Sequence, residues 1–426
     1  MLLGYSNKKC GLLGEHLSHS FSPVIHNMIA DYSYELFEVS PCELETFIRT
    51  NNLDAYNVTI PYKKAVIPFL DEISPEANSI GAINLIIKKD NKLCGYNTDY
   101  FGFEYMMKSA KVTVKGKKAI VLGMGGAAVT ICTVLKNNEI GEIISVNRQN
   151  NTKKFLSQHA DANIVINATP VGMYPNNRIS PVDLDLFPCC EAVLDIVYNP
   201  MRTELILQAE KKGIVAVSGL SMLVAQAVYA FEIFSNKKCD SNIIIEDIIT
   251  KIAKKTQNII LIGMPSCGKS TVGKILAKNL DREFFDADEE FEKTYNTTPA
   301  NVITTYGENR FREMEHQILE TLGKMSGAII ATGGGAVTRE ENYPSLHQNG
   351  VIVYIKRDIS ALSTDGRPLS KANSLETLFA KRKPLYERFA DIEVDSQETP
   401  EGTAKIIEKE FEKTNISCLI DAKETI

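Results

Sequence analysis

The sequence predicts an α/β fold built on parallel sheets, and three observations carry the prediction. Short Ile- and Val-rich runs recur almost throughout, at Ala119–Leu122, Ile143–Val146, Asn163–Asn167, Ala192–Ile196, Asn258–Ile262, Ala328–Ala331 and Val351–Ile355, with helical stretches between them. Buried parallel strands read as such runs and need crossover connections. Two of the runs end in glycine-rich turns, at Gly123 and Gly263, and each such turn opens its own nucleotide-binding unit. The chain is 426 residues long, which at roughly 150 residues per domain is two to three domains.

Composition excludes several classes. Hydrophobic residues are 44% and charged residues 23%, the balance of a globular chain and not of a disordered or collagen-like one. The net charge of −6 and the lack of a long basic run argue against nucleic acid or a membrane surface as partner. No apolar stretch approaches the ~20 residues that span a bilayer, and the N-terminus has no signal-peptide architecture. Nine cysteines without a CxxC pair fit neither a disulfide framework nor a zinc site, so a reducing cytoplasm is the expected location.

Taken in order, the first polar cluster is His19-Ser20-Phe21-Ser22-Pro23, whose two hydroxyls share one side of an extended segment and suit a carboxylate or polyol. A serine-rich turn is the competing reading. Asn57–Lys63 reads as a short alternating strand ending in a lysine, and Gly95-Tyr96-Asn97-Thr98-Asp99 follows. A lysine and an aspartate brought together suit proton transfer to a carbonyl that receives hydride, the alternative being an exposed Lys63 and a turn-forming Asp99. After the strand at Ala119–Leu122 comes Gly123-x-Gly125-x-x-Ala128 and a helical stretch. Here the glycines give the tight turn and the close approach to a pyrophosphate. The next strand ends in Asn147 and Arg148, not in the acidic residue that holds a ribose 2′-hydroxyl, which favours NADP over NAD; a solvated surface arginine is the alternative.

Asp247–Asn258 is polar and basic and is the expected boundary. Beyond it, Gly263-x-x-x-x-Gly268-Lys269-Ser270 directly follows a strand and matches the P-loop pattern. Its backbone N–H groups cradle phosphates, Lys269 reaches the β- and γ-phosphates, and the Ser270 hydroxyl ligates Mg²⁺. Asp286 and Asp288, Arg312 and Glu315, and the Gly333-Gly334-Gly335 run follow. Paired carboxylates suit a metal contact and a substrate hydroxyl, and arginine suits a substrate carboxylate.

These residues carry a resemblance. From about residue 4 to 250 the chain resembles shikimate dehydrogenase: HSFSP, NVTIPYK, GAIN, YNTD, GMGGAA, NATPVGM, DIVYNP and GLSMLVAQA stand in that family's order. The resemblance implies that Ser20, Ser22, Thr59, Asn84, Asp99 and Gln226 contact the substrate and that Lys63 and Asp99 are the catalytic pair. It also implies that Tyr198, Gly219 and Met222 lie near nicotinamide and substrate, and that NADP(H) is held by Gly123, Gly125, Gly126, Ala127, Ala128, Asn147 and Arg148. One departure is NRQ at Asn147–Gln149 where the family usually has NRT.

From about residue 257 to 413 the chain resembles shikimate kinase. That implies Gly263, Gly268, Lys269, Ser270 and Thr271 on ATP, Ser270 and Asp286 toward Mg²⁺, and Asp288 as candidate base. Arg312, Gly334, Gly335 and Arg382 would hold shikimate, Glu315 would orient Arg312, and Gly366–Leu369 would be a lid carrying Arg367. The lid reads a few residues short, with Ser363 and Thr364 where a basic residue is often found.

The implied architecture is a dehydrogenase at 1–255 and a P-loop kinase with a parallel sheet at 256–426. The dehydrogenase divides into a substrate subdomain at about 1–102 and 225–250 and a Rossmann NADP-binding subdomain at about 103–224. The implied activity is reduction of 3-dehydroshikimate to shikimate and then phosphorylation of shikimate. The alternative is a quinate/shikimate dehydrogenase fused to a kinase of another small acceptor.

Overall fold

The computed structural model describes residues 4–17, 20–362 and 375–414. Three sheets follow one another along the chain. The first holds β1 (Lys9–Gly14), β2 (Ser33–Glu38), β3 (Ala55–Val58), β4 (Glu72–Ile73), β5 (Leu85–Lys89) and β6 (Lys92–Tyr96) in the order β2-β1-β3-β5-β6-β4. It is mixed, not parallel: β3 pairs β5 and β5 pairs β6 antiparallel. The reversal comes from Asp90-Asn91, both left-handed at φ 48 and 63, the backbone that a two-residue hairpin turn demands and that Asn and Asp tolerate.

Two local expectations change. The strand expected over Asn57–Lys63 ends at Val58, and Lys63 sits in the turns that follow. Ser20–Pro23 is not extended: a helix begins at Ser22, because Pro23 occupies its first turn, where a missing N–H costs nothing.

The second sheet is wholly parallel. Its strands β7 (Lys118–Leu122), β8 (Glu142–Val146), β9 (Ile164–Asn167), β10 (Ala192–Asp195) and β11 (Val215–Ser218) stand in the order β11-β10-β9-β7-β8. The chain leaves β7 toward β8 and returns to its other side for β9, which opens a crevice at the carboxyl end of β7, where the first glycine turn lies.

The third sheet, also parallel, orders β12 (Asn258–Ile262), β13 (Phe284–Asp286), β14 (Ile329–Ala331), β15 (Gly350–Lys356) and β16 (Ile392–Asp395) as β13-β14-β12-β15-β16. Its crevice lies at the end of β12, at the second glycine turn. Ile259, Ile260, Leu261 and Ile262 are all fully buried, so β12 runs through the centre of its core.

The stretch expected as a polar boundary is helical. The helix Ser241–Thr256 turns Ile245, Ile248, Ile249 and Ile252 into the core beside the helix Leu220–Ser235, with Lys251 and Lys255 on its outer face and Lys254 against Phe411 and Thr414. The connection into β12 is therefore a packed helix and one residue, Gln257.

The helices Asp99–Ser109 and Leu220–Ser235 lie close because Gly102 has no side chain; a Cβ there would stand 2.7 Å from the Met222 carbonyl oxygen and 3.1 Å from Gln226 Cβ. Gly102→Ala is expected to cost about 1–3 kcal/mol by overpacking, seen as a lowered midpoint in thermal unfolding of the full chain; an unchanged midpoint would show that the helices part without cost.

Candidate active sites

The first site lies where the mixed sheet meets the start of the helix Asp99–Ser109. Lys63 Nζ stands 2.6 Å from Asp99 Oδ2, with the two side chains 21% and 12% exposed. Asp99 is the first residue of its helix, where the dipole favours an anion. Beneath it, Asn84 is buried and donates Nδ2–H to Thr98 Oγ1 at 3.1 Å, while its Oδ1 accepts from the Thr98 N–H at 2.6 Å. The Thr98 hydroxyl lies 3.3 Å from Gln226 Oε1, so Asn84, Thr98 and Gln226 form one polar floor. Thr98 was not singled out from sequence, although its place just before the helix is a signal of such a role. Ser20 Oγ accepts from the Ser22 N–H at 3.2 Å. Thr59 follows β3 and donates its N–H to the Leu13 carbonyl.

Across the cleft, the loop Ile196–Thr203 after β10 carries Tyr198, whose ring lies 5.5 Å from that of Phe21, between the two serines. Burial pushes the Tyr198 phenol up, so it stays a neutral hydroxyl. Gly219 donates its N–H to the Val197 carbonyl at 3.0 Å, and Met222 is buried nearby. Asp195, at the end of β10, anchors the loop: its carboxylate accepts from Asn167 Nδ2 at 2.9 Å, the Val197 N–H at 3.0 Å and Thr203 Oγ1 at 2.6 Å. These three polar side chains were missed; the signal was a polar residue closing each of two neighbouring apolar strands.

The first glycine turn leaves open space above Gly125 and Gly126, where the helix Gly126–Asn137 begins. That is room for a pyrophosphate at a helix N-terminus, with Ala127 and Ala128 in the first turn. Asn147 is engaged in its own turn, its Oδ1 accepting from the N–H groups of Gln149 and Asn150. Arg148 is exposed, and among the described residues no carboxylate pairs with it. The pair of features fits a nucleotide carrying a 2′-phosphate.

The second site is assembled around the end of β12. Gly263 is at φ 145, and a Cβ on it would meet the Ile355 carbonyl oxygen at 2.7 Å, so only glycine serves there. Lys269 is buried and its Nζ donates to the carbonyls of Gly263 and Met264 at 3.0 and 2.9 Å. Gly268 and Lys269 start the helix that continues through Ser270 and Thr271. Ser270 Oγ donates to Asp286 Oδ2 at 2.5 Å, and Asp286 Oδ1 caps the next helix at the Asp288 N–H. A hydroxyl and a carboxylate so joined are a donor set that Mg²⁺ accepts beside nucleotide phosphates.

The glycine run packs against everything around it. A Cβ on Gly333 would stand 2.6 Å from Glu315 Oε1 and 3.4 Å from Asp288 Oδ1, one on Gly334 2.6 Å from the Pro265 ring, and one on Gly335 2.0 Å from Arg312. Arg312 is buried, donating to Glu315 Oε2 at 2.6 Å and to Glu308 Oε1 at 3.0 Å. Burial works against its charge, but the carboxylates of Glu315 and Glu308 outweigh it and hold the guanidinium above its usual range. Burial pushes the Glu315 carboxyl up against the pull of Arg312, and its Oε1 is buried without a hydrogen-bond partner. Arg382, buried in the helix Leu375–Phe389, donates to the Gly334 carbonyl at 3.2 Å, as does the Tyr386 hydroxyl. Arg367, with Ser363, Thr364 and Gly366–Leu369, lies outside the described residues.

Comparison with known proteins gives matching results. A model described as the shikimate dehydrogenase substrate binding domain matches residues 12–86, and one described as shikimate kinase matches residues 265–413. A shikimate dehydrogenase (NADP(+)) of Clostridium perfringens is 39% identical over 259 residues, which are 55% of this chain and 95% of that protein. Shikimate dehydrogenase 1 of Peptoclostridium difficile superposes with a TM-score of 0.53 at 36% identity, over 57% of this chain and 97% of that one. A chorismate mutase/shikimate 5-dehydrogenase fusion protein of Clostridium acetobutylicum gives 0.54 at 35%, over 58% and 98%.

One pH dependence follows from Asp195. Burial raises its carboxyl to about 7 from an unfolded value of 3.8, so folding takes up a proton between those values and stability falls as pH rises from about 4 to about 7. Asp195→Asn removes that slope; unfolding midpoints at pH 4.5 and 7.5 that differ as much in the variant as in the parent would contradict it.

Proposed function

The chain belongs to the shikimate dehydrogenase family and carries a shikimate kinase domain, and from that premise we propose how one polypeptide runs two consecutive steps on one intermediate. It is a bifunctional enzyme of the shikimate pathway, an NADP-dependent oxidoreductase joined to a kinase. The observation that carries the reading is the pairing of sites: a Lys63–Asp99 acid–base pair in the first cleft and a P-loop facing an arginine-lined glycine run in the second.

In the first step NADPH, when bound, supplies hydride to the ketone carbon of 3-dehydroshikimate. Lys63 gives the proton that the developing alkoxide takes up, and Asp99 holds the ammonium in place and accepts from a substrate hydroxyl. Ser20, Ser22 and Thr59 line the same cleft and suit the carboxylate and hydroxyls, with Asn84 and Gln226 held from below by Thr98. Tyr198 closes the cleft from the loop opposite. Gly123 to Ala128 receive the pyrophosphate, and Arg148 receives the 2′-phosphate.

In the second step ATP, when bound with Mg²⁺, supplies the phosphoryl group. Ser270 and Asp286 hold the metal, Lys269 turns from its loop carbonyls to the phosphates, and Gly263 to Thr271 wrap them. Arg312 and Arg382 fix the carboxylate of shikimate, the backbone of Gly334 and Gly335 borders it while their missing side chains give room to Pro265 and Arg312, and Asp288 takes the hydroxyl proton. The unpartnered Glu315 Oε1 accepts from a ring hydroxyl, a role beyond orienting Arg312. Arg367 is proposed for the transferring phosphate. The eight described cysteines are free thiols, which supports work in a reducing cytoplasm.

A coupled assay with 3-dehydroshikimate, NADPH, ATP and Mg²⁺ tests the reading. Lys63→Ala is expected to lower NADPH oxidation by about 10² to 10⁴-fold while added shikimate is still phosphorylated, and Lys269→Ala to do the reverse; oxidation without ADP formation would point to another acceptor. Arg148→Ala is expected to raise the KM for NADPH by about tenfold or more through the lost charge-assisted bond, with NADH unaffected; an equal change for both coenzymes would remove Arg148 from 2′-phosphate recognition.

A further inference from the structure

The kinase meets the dehydrogenase through a buried polar seam that contains none of the proposed reacting groups. Asn177 Nδ2 donates to Gln348 Oε1 at 2.7 Å, and Arg178 donates to Ser345 Oγ at 3.0 Å. The Met201 N–H donates to Asn349 Oδ1 at 3.0 Å, the Arg202 N–H to the Gln348 carbonyl at 2.9 Å, and the Arg202 guanidinium to the His347 carbonyl at 3.2 Å. Asn177, Met201, Arg202, Gln348 and Asn349 are all buried. Among the described residues Asn177 Oδ1 finds no partner, and polar groups so desolvated and otherwise matched mark a permanent junction rather than a passing contact.

Two of these residues belong to the loop Ile196–Thr203, which also holds Tyr198. That loop touches three bodies. Tyr198 reaches the ring of Phe21 in the substrate-binding half. Met201 is buried among Ile245, Ile248 and Ile252 of the helix that leads into the kinase. Thr203 is bound to Asp195 of its own sheet. Between Tyr198 and Thr203, the groups that fix the backbone at Met201 and Arg202 come from the kinase. On the kinase side Asn349 is itself held, Nδ2 to the Met325 carbonyl at 3.2 Å and its carbonyl oxygen accepting from the Asn258 N–H at 2.8 Å, so the support is tied to the starts of β12 and β15.

We propose that Gln348 and Asn349 of the kinase domain are positioning residues of the dehydrogenase reaction, holding Met201–Arg202 so that the same loop presents Tyr198 to the cleft. The proposal rests on the dehydrogenase reading of that cleft. The kinase domain then does a second task, as a support for its neighbour, that its phosphoryl chemistry does not reveal.

The test uses the full chain with Asn349→Ala, which removes the acceptor of the Met201 N–H, and, singly, Gln348→Ala, which removes the Asn177 contact but keeps the main-chain carbonyl that holds Arg202. Asn349→Ala is expected to raise the dehydrogenase KM for 3-dehydroshikimate by about fivefold, with a smaller change in kcat, because the reacting groups are displaced and not removed, and Gln348→Ala to raise it by about twofold at most. Kinase kcat and its KM for ATP stay within about twofold of the parent, since neither residue lies at the P-loop. Amide exchange across Ile196–Thr203 quickens while that of the P-loop does not. Wild-type exchange over Ile196–Thr203 in Asn349→Ala overturns the proposal, and so does quickened exchange with dehydrogenase KM and kcat unchanged. Where an alanine variant does not fold, Arg202→Lys, which keeps the main-chain bond and loses the guanidinium contact, is read by the same two measurements. If the parent chain itself fails to oxidise NADPH, the functional reading is what fails, and the exchange measurement still decides whether the kinase holds the loop.

Discussion

The polarity of a parallel sheet is the constraint on which the two nucleotide sites depend. All strands of such a sheet end at one edge, and the helices that follow them begin there with unpaired N–H groups and the positive end of their dipoles. In the second and third sheets that edge holds the glycine turns at Gly123 and Gly263, each at the point where neighbouring crossovers part. The opposite edge, where strands begin, is left without an anion-binding role. In the kinase it is the edge that Asn258 and Asn349 occupy, and it has become the docking face.

The two sites solve the problem of a charged substrate differently. Lys63 and Asp99 remain partly open to water, which suits a pair proposed to exchange a proton with substrate and then with solvent. Arg312 is instead sealed with Glu315 against a wall of glycines. A buried guanidinium that lacked its carboxylate would carry a large desolvation cost, so the pair is kept intact, and the guanidinium proposed for the substrate carboxylate is a charge already fixed in place. Holding that charge by a short ion pair leaves one oxygen of Glu315 unsatisfied, the oxygen proposed to receive a substrate hydroxyl.

How much of this was legible in the sequence follows from how local each signal is. Buried parallel strands such as β7 and β12 are plain apolar runs, and the turns behind them are spelled in glycine. Lys63 with Asp99 and Ser270 with Asp286 are residue types that more than one reading accommodates, and the family resemblance supplies the pairing. What stayed hidden was set by context. The β5–β6 hairpin hangs on Asp90-Asn91, two residues between short, half-polar strands. The helix Ser241–Thr256 looked like a linker because its lysines mask isoleucines that face the core at helical spacing. Thr98, Asp195 and Thr203 act by holding other residues, and a residue with that role has no chemical signature until the fold brings its partner near.

The edge by which the kinase is attached also settles what the fusion provides. The docking residues sit at the start of β12 and the P-loop at its end, five residues on, about 16 Å at the rise of a parallel strand, with the core between them. The P-loop therefore lies at the opposite end of its strand from the junction, and what the join sets is stoichiometry. It is a fixed ratio: each chain made carries one oxidoreductase and one kinase, and expression cannot alter their proportion. Supply and use of shikimate within such a pair are matched by the turnover of the two sites alone.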